Sequence, residues 1–269
     1  MSIQSPPTLL ELAGHSMLSD KSRAILDLED LPIEFFPPLF VEAFRRGHTE
    51  VLKKMRCGFL LVIEDWSLRD ELTALFLLRH LKTPLETLAI TNCPLSHSDW
   101  NYLSCCPNTS QLRHLDLRYI TLTNFSPEPL KILLETVAAT LKSLDLEACE
   151  MTDSQLQAIL PALSRCSKLR ILCLFGNRIS MSVLRDLLLH TARLSQLSIE
   201  LYPAPLESYD AQGAIYPGRC SQLCAELTAI LKDFRQPNVL IFRTVSCPQC
   251  GRMFLYNQGL IHCSCPTAA

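Results

Sequence analysis

The sequence predicts an α/β fold in which one strand–helix unit is stacked repeatedly, between a helical N-terminal segment and a cysteine-rich C-terminal one. Three observations lead there. A leucine pattern returns as "LETLAITNCPL" from Leu85, "LRHLDLRYITL" from Leu112, "LKSLDLEACEM" from Leu141 and "LRILCLFGNRI" from Leu169, and "LSQLSIELYPA" from Leu194 fits its first half. The starts lie 27, 29, 28 and 25 residues apart, and self-similarity at a period of that size marks a repeat architecture. Between the copies, apolar residues fall at i, i+3 and i+4, the spacing of one buried helix face. Finally, eight glycines in 269 residues speak for regular rather than loop-rich structure.

In chain order, residues 1–56 read as helices rather than repeats. Leu9, Leu12 (or Ala13) and Met17 share a helical face in "TLLELAGHSML", "DKSRAILDLED" carries a second helix, and "LFVEAFRRGHTEVLKKM" is amphipathic with a basic tip. Between them, "LPIEFFPPLF" gathers prolines that stop a helix. Its Phe35, Phe36 and Phe40, together with Phe44, are placed to seal the first repeat, because the end of a stacked array needs a cap. The repeats occupy residues 57–200. A degenerate first copy runs from Gly58 through Leu61, Ile63, Trp66 and Leu68, 27 residues ahead of Leu85.

Each copy reads L-x-x-L-x-L-x-x-(N/C)-x-L, the leucine-rich repeat signature. The L-x-L centre is a short strand whose alternate side chains point inward. The ninth position suits a small side chain that bonds free backbone groups at the bend; Cys93, Cys149 and Asn177 hold it, while Ile120 and Tyr202 do not fit. Helices follow from Leu130, Leu133, Leu134 and Val137, from Leu156, Ile159, Leu160 and Leu163, and from Leu184, Leu187 and Leu188. Units near 28 residues that each carry a full helix resemble the ribonuclease-inhibitor type of leucine-rich repeat solenoid. Residues 201–245 read as an irregular last repeat and cap: a loop over "LYPAPLESYDAQGAIYPGRC", a helix bearing Leu223, Leu227, Ile230 and Leu231, and a closing strand "VLIF".

In the tail, 246–269, "SCPQCGRMFLYNQGLIHCSCP" pairs Cys247 with Cys250 and Cys263 with Cys265, with His262 beside them. Paired cysteines on tight turns form a knuckle geometry for one structural zinc, which would leave no open position for catalysis. Four reduced or buried thiols are the other reading, and both stay open. Thirteen cysteines in a chain that opens without a secretory signal are expected to stay reduced. Those within the repeats act as small buried hydrophobes.

The formal charge of −2 comes without a basic stripe, which argues against nucleic acid. No uncharged apolar run reaches about 18 residues, so no membrane span is expected. No G-x-S-x-G, H-E-x-x-H or P-loop occurs and the seven histidines are scattered, so no catalysis is expected.

The strand positions between the leucines line the concave face and are the candidates for binding a partner. They include Arg113, His114, Asp116, Arg118 and Tyr119 in one repeat, and Lys142, Asp145 and Glu147 in the next. Arg170 and Phe175 follow, and then Gln196, Ser198 and Glu200. Mixed charge with a few aromatics suits a protein ligand. "LKILL" (130–134) and "LRDLL" (184–188) have the form of LxxLL motifs, but their leucines are needed for the core.

The N-terminal "LLELAGHSML", the "LPxxxFPPLF" pattern followed by an Ala-Phe helix, the leucine-rich body and the terminal "CPQCG…CSCP" together resemble the PRAME (preferentially expressed antigen of melanoma) family. One departure is that "VLKKM" joins directly to a late repeat, where family members carry further repeats. The resemblance implies a substrate-recognition subunit of a Cullin-2 ubiquitin ligase. Such receptors take elongin C, with elongin B, through a BC box and Cullin-2 through a downstream box. Thr8, Leu9, Ala13 and Met17 match the first pattern; Leu31, Pro32, Phe35 and Leu39 match the second. The missing secretory signal leads to an expectation of residence in cytoplasm, nucleus or both. The alternative is a ligase-independent scaffold or transcriptional co-repressor that affects differentiation, proliferation and apoptosis.

Overall fold

The computed structural model describes residues 84–246, 253 and 255–256, together with the backbone of 60–64. Eight strands form one sheet in chain order: β1 (Leu60–Glu64), β2 (Thr87–Thr91), β3 (His114–Asp116), β4 (Ser143–Asp145), β5 (Ile171–Cys173), β6 (Ile199–Pro203), β7 (Val239–Arg243) and β8 (Leu255–Tyr256). The first seven run parallel and β8 returns antiparallel to β7. Parallel neighbours require crossover connections, usually helical. Here these are α1 (His97–Cys105), α2 (Glu128–Thr136), α3 (Asp153–Leu163), α4 (Met181–Thr191) and α5 (Pro217–Lys232). Among the described residues no helix is long and apolar enough to cross a membrane.

The register explains the leucine pattern. Leu61, Leu88, Leu115, Leu144 and Leu172 are successive partners across five strands, so the degenerate copy at Gly58 is in step with the rest. Leu88, Leu115, Leu144 and Leu172 are fully buried, as are Leu85, Leu112, Leu141 and Leu169 three positions earlier. Each such leucine contributes about 1.5–3 kcal/mol, and the columns join the helix faces in one core. The expected helical leucines are part of it, including those of both LxxLL sequences, which are at most 3% exposed.

Helix starts are fixed by side chains. Ser96 and Asp99 form a reciprocal capping box on α1, Thr152 and Gln155 one on α3, and Ser180 caps α4. The same turns tie one repeat to the next. The Gln155 amide donates to the carbonyls of Leu122 (2.7 Å) and Phe125 (2.8 Å), and Asp153 accepts from the Ser180 backbone (2.9 Å). Helix α1 had no counterpart in the sequence reading. It is held by Trp100 and Leu103, and the Trp100 indole donates to the Ser126 carbonyl at 2.8 Å.

The fifth copy is out of step with its sequence alignment. Leu172 pairs with Glu200, so this repeat starts at Leu197, 28 residues after Leu169, and not at Leu194. Leu194 lies in the turn after α4 and is itself 2% exposed. With Leu197 and Ile199 it imitates L-x-x-L-x-L, whereas the true copy carries Glu200 and Tyr202 at leucine positions, which is why the pattern misplaced the start. Glu200, expected on the concave face, stands instead in the buried leucine column with no exposure. The site is built for it. Glu200 accepts from Arg235 Nε (2.8 Å) and Nη2 (2.7 Å) and from the Tyr202 hydroxyl (2.6 Å). Arg235 also donates to the Thr191 carbonyl (2.6 Å) and hydroxyl oxygen (3.0 Å) at the end of α4. Burial and the neighbouring carboxylate push the Tyr202 hydroxyl well above its usual pKa.

Two further expectations change. Leu201 does not begin a loop: β6 runs on to Pro203, and irregular chain begins only after it. "VLIF" is a strand, β7, but β8 pairs outside it.

Candidate functional site on the open face of the sheet

The helices cover the face that carries the leucine columns, and the opposite face is open. Its rows follow from the register. One row runs His114, Ser143, Ile171, Ile199, Val239, and the next Asp116, Asp145, Cys173, Leu201, Ile241. Two residues further along each strand stand Arg118, Glu147, Phe175 and Arg243. Arg113, Lys142 and Arg170 lie one residue before the first row, along the N-terminal edge of the strands. Tyr119 sits past the strand end, half exposed, with φ 62°.

The charged part is internally paired. Arg118 donates through Nε to both Asp116 oxygens (3.0 Å each) and through Nη2 to Oδ2 (2.7 Å), and it stands 3.7 Å from Asp145. Asp116 therefore holds the Arg118 guanidinium still more firmly protonated than usual. The Asp145 carboxyl is raised above its ordinary range chiefly by burial, against which the Glu147 backbone N–H at 3.0 Å stabilises the anion. Arg243 reaches back from β7, lays its guanidinium 4.0 Å above the Phe175 ring and ion-pairs with Glu147.

Asp145, Glu147 and Cys173 bring ligand-type atoms within 4.8 Å of one another. Both carboxylates are already engaged by arginines, and burial raises the Cys173 thiol so that it stays protonated. This donor set is neutralised from within and does not make a metal centre.

The N-terminal edge is basic. Arg113 pairs with Glu86 at 3.3 Å, whereas Lys142 and Arg170 have no ion pair among the described residues. The pKa of His114 is lowered first by burial, then by Lys142 and Arg113.

On β5–β7 the open face turns apolar. Ile171, Ile199, Leu201, Val239 and Ile241 are all partly accessible there. Sequence reading missed this patch, because the mis-set fifth start scrambled the alternation on β6 and "VLIF" was read only as a cap.

The candidate residues at the two ends lie outside the described residues. These are Thr8, Leu9, Ala13, Met17, Leu31, Pro32, Phe35 and Leu39 in the N-terminal segment, and Cys247, Cys250, Cys263 and Cys265 in the tail.

Comparison with known proteins places this sheet in a family. The model of the PRAME C-terminal domain matches residues 50–265. The chain belongs to the PRAME family. It is 60% identical over 187 residues to human PRAME family member 12 (70% of this chain, 39% of that protein). It is 45% identical over 241 residues to human PRAME family member 20 (89% and 50%), and 47% identical over 180 residues to mouse Oogenesin-2 (67% and 38%). Against these PRAME proteins the chain spans half or less of the relative's own length.

Proposed function

We propose that this PRAME-family chain is a non-enzymatic recognition subunit of a Cullin-2/elongin BC ubiquitin ligase, with a protein substrate held on the open face. In this reading the ladder belongs to a leucine-rich repeat solenoid of the ribonuclease-inhibitor type, and the open face is its concave side. One observation carries the reading. The columns facing the helices are consumed by the core, while alternate positions such as Asp116, Asp145, Ile171, Ile199 and Ile241 leave charged and apolar side chains partly accessible. Such a surface is built for contact with protein. The burial of both LxxLL sequences speaks against their use as free recognition helices.

Elongin C and Cullin-2 docking rests on the resemblance of Thr8, Leu9, Ala13, Met17, Leu31, Pro32, Phe35 and Leu39 to the two box patterns. Co-expression with elongins B and C followed by size-exclusion chromatography tests it. Co-elution of the wild type, lost in the Leu9→Ser, Ala13→Asp double variant, is the expected result. A folded wild type that never co-elutes overturns the ligase reading and leaves the ligase-independent scaffold.

The four tail cysteines are proposed to hold one structural zinc. Metal analysis of the purified chain should then find about one zinc per molecule, lost on Cys250→Ser.

A further inference from the structure

We propose that the open face accepts an extended protein segment laid across the strands, with acidic residues over β3–β5 and apolar residues over β5–β7. This deepens the reading of that face as a protein-binding surface and rests on it.

Three features of the face set the chemistry. Its carboxylates are taken: Glu86 by Arg113, Asp116 and Asp145 by Arg118, and Glu147 by Arg243. Lys142 and Arg170 are left without carboxylate partners among the described residues, on adjacent strands of the N-terminal edge. The charge left for a visitor is therefore positive along that edge, and an acidic residue there is what complements it. At β5 the chemistry changes within one row, from His114 and Ser143 to Ile171, Ile199 and Val239. The adjoining row changes likewise, from Asp116 and Asp145 to Leu201 and Ile241. A ligand with one character throughout would satisfy only one half.

The dimensions suit an extended chain. Four inter-strand steps of about 4.8 Å from β3 to β7 make about 19 Å, the reach of about six extended residues at about 3.3 Å each. Side chains on one side of such a segment recur about every 6.6 Å, so about two apolar residues rest on the β5–β7 floor. Arg243, stretched over Phe175 to Glu147, closes the C-terminal side of the strands. The ligand thus lies along the first row: its acidic residues meet the basic edge, away from Asp116 and Asp145, and its apolar residues reach the floor of Ile199 and Ile241.

A phage-displayed random peptide library panned on the full chain tests this without any ligase subunit, so it can fail while elongin co-elution succeeds, and the reverse. Selected peptides should be acidic in one half and apolar in the other, and should weaken with added salt. The charge reversal Lys142→Glu, Arg170→Glu should lower the affinity of the synthesised peptides by roughly tenfold or more. Both side chains lie at the surface, and an unchanged melting curve verifies the fold. Ile199→Ser, Ile241→Ser should abolish binding of the same peptides and spare the melting curve less. Absence of enriched peptides, basic or uniformly apolar winners, or undiminished binding to the charge-reversed variant would each overturn the proposal. So would tighter binding of a labelled single-stranded RNA than of any selected peptide.

Discussion

Glu200 shows what a single residue costs and contributes in a column otherwise made of leucines. Its carboxylate is fully buried and Arg235 keeps 8% side-chain exposure, so either ion alone would be stranded. Glu200→Ala should destabilise the fold by about 3–5 kcal/mol, since removing one member of a buried pair leaves an uncompensated charge. Replacing the group as a whole is a different matter. Glu200→Leu with Arg235→Met and Tyr202→Phe restores the column chemistry, and a buried pair exchanged for apolar residues of similar volume is often neutral or stabilising. Denaturant melts of the single and triple variants check this; a triple variant as unstable as the single one would refute it.

His114 offers a titration at the same scale. Its folded pKa lies below the ordinary 6.5, so between the two values the unfolded chain binds more protons. Stability is then fully present above about 6.5 and falls as pH drops through the depressed folded value. NMR of the imidazole should find a midpoint below 6.5, and His114→Ala should flatten that part of the stability–pH curve.

At the scale of elements, the turns that end β2, β3, β4 and β5 repeat one backbone feature. Asn92, Tyr119, Ala148 and Gly176 are equivalent by register and all have positive φ, 49°, 62°, 53° and 72°. Only the last is glycine. A Cβ at Gly176 would stand 3.2 Å from the Cα and Cβ of Ala148 as well as in the left-handed region, so Gly176→Ala should cost about 1–2 kcal/mol. Ala148→Gly runs the other way. Relief of about 1–2 kcal/mol of left-handed strain offsets or outweighs about 0.4–1 kcal/mol of unfolded-chain entropy, for a net gain of up to about 1.6 kcal/mol. Thermal melts of the two variants should move in opposite directions.

These turns also show what was readable. Cys149 donates to the Leu117 carbonyl at 3.0 Å, and Asn177 donates to Leu146 (2.8 Å) and accepts from Met151 (3.0 Å). That is the backbone-bonding role its position implied, because a fixed period repeats the same local need. The strand leucines and helix faces were legible for the same reason. The fifth start was not, since Glu200 and Tyr202 fill leucine positions of the true copy, while Leu194, Leu197 and Ile199 imitate the pattern three residues early. Nor was the apolar floor, because Ile199 and Ile241 have the residue type of core. Of the face candidates, Arg118 with Asp116 is a short-range pair that sequence could place together, whereas Arg243 with Glu147 carries no local signal.

For the whole molecule, the strand order decides how parts communicate. Strands adjacent in the sheet are adjacent in sequence, and helices pack on their neighbours, so a disturbance in one unit reaches mainly the next. Among the described residues, the tie from Arg243 to Glu147 departs from this, joining residues 96 apart over the Phe175 ring. Arg243→Ala should therefore lower hydrogen-exchange protection at Leu146 and Ala148 as well as in β7, and leave β2 unchanged. Loss confined to β7 would contradict this. The long tie also bears on how the chain folds. An array held by neighbours alone zips up a unit at a time and frays from its ends. With its last parallel strand buckled to its middle, the segment from β4 to β7 has no free end to fray, and it should open and close as one cooperative block.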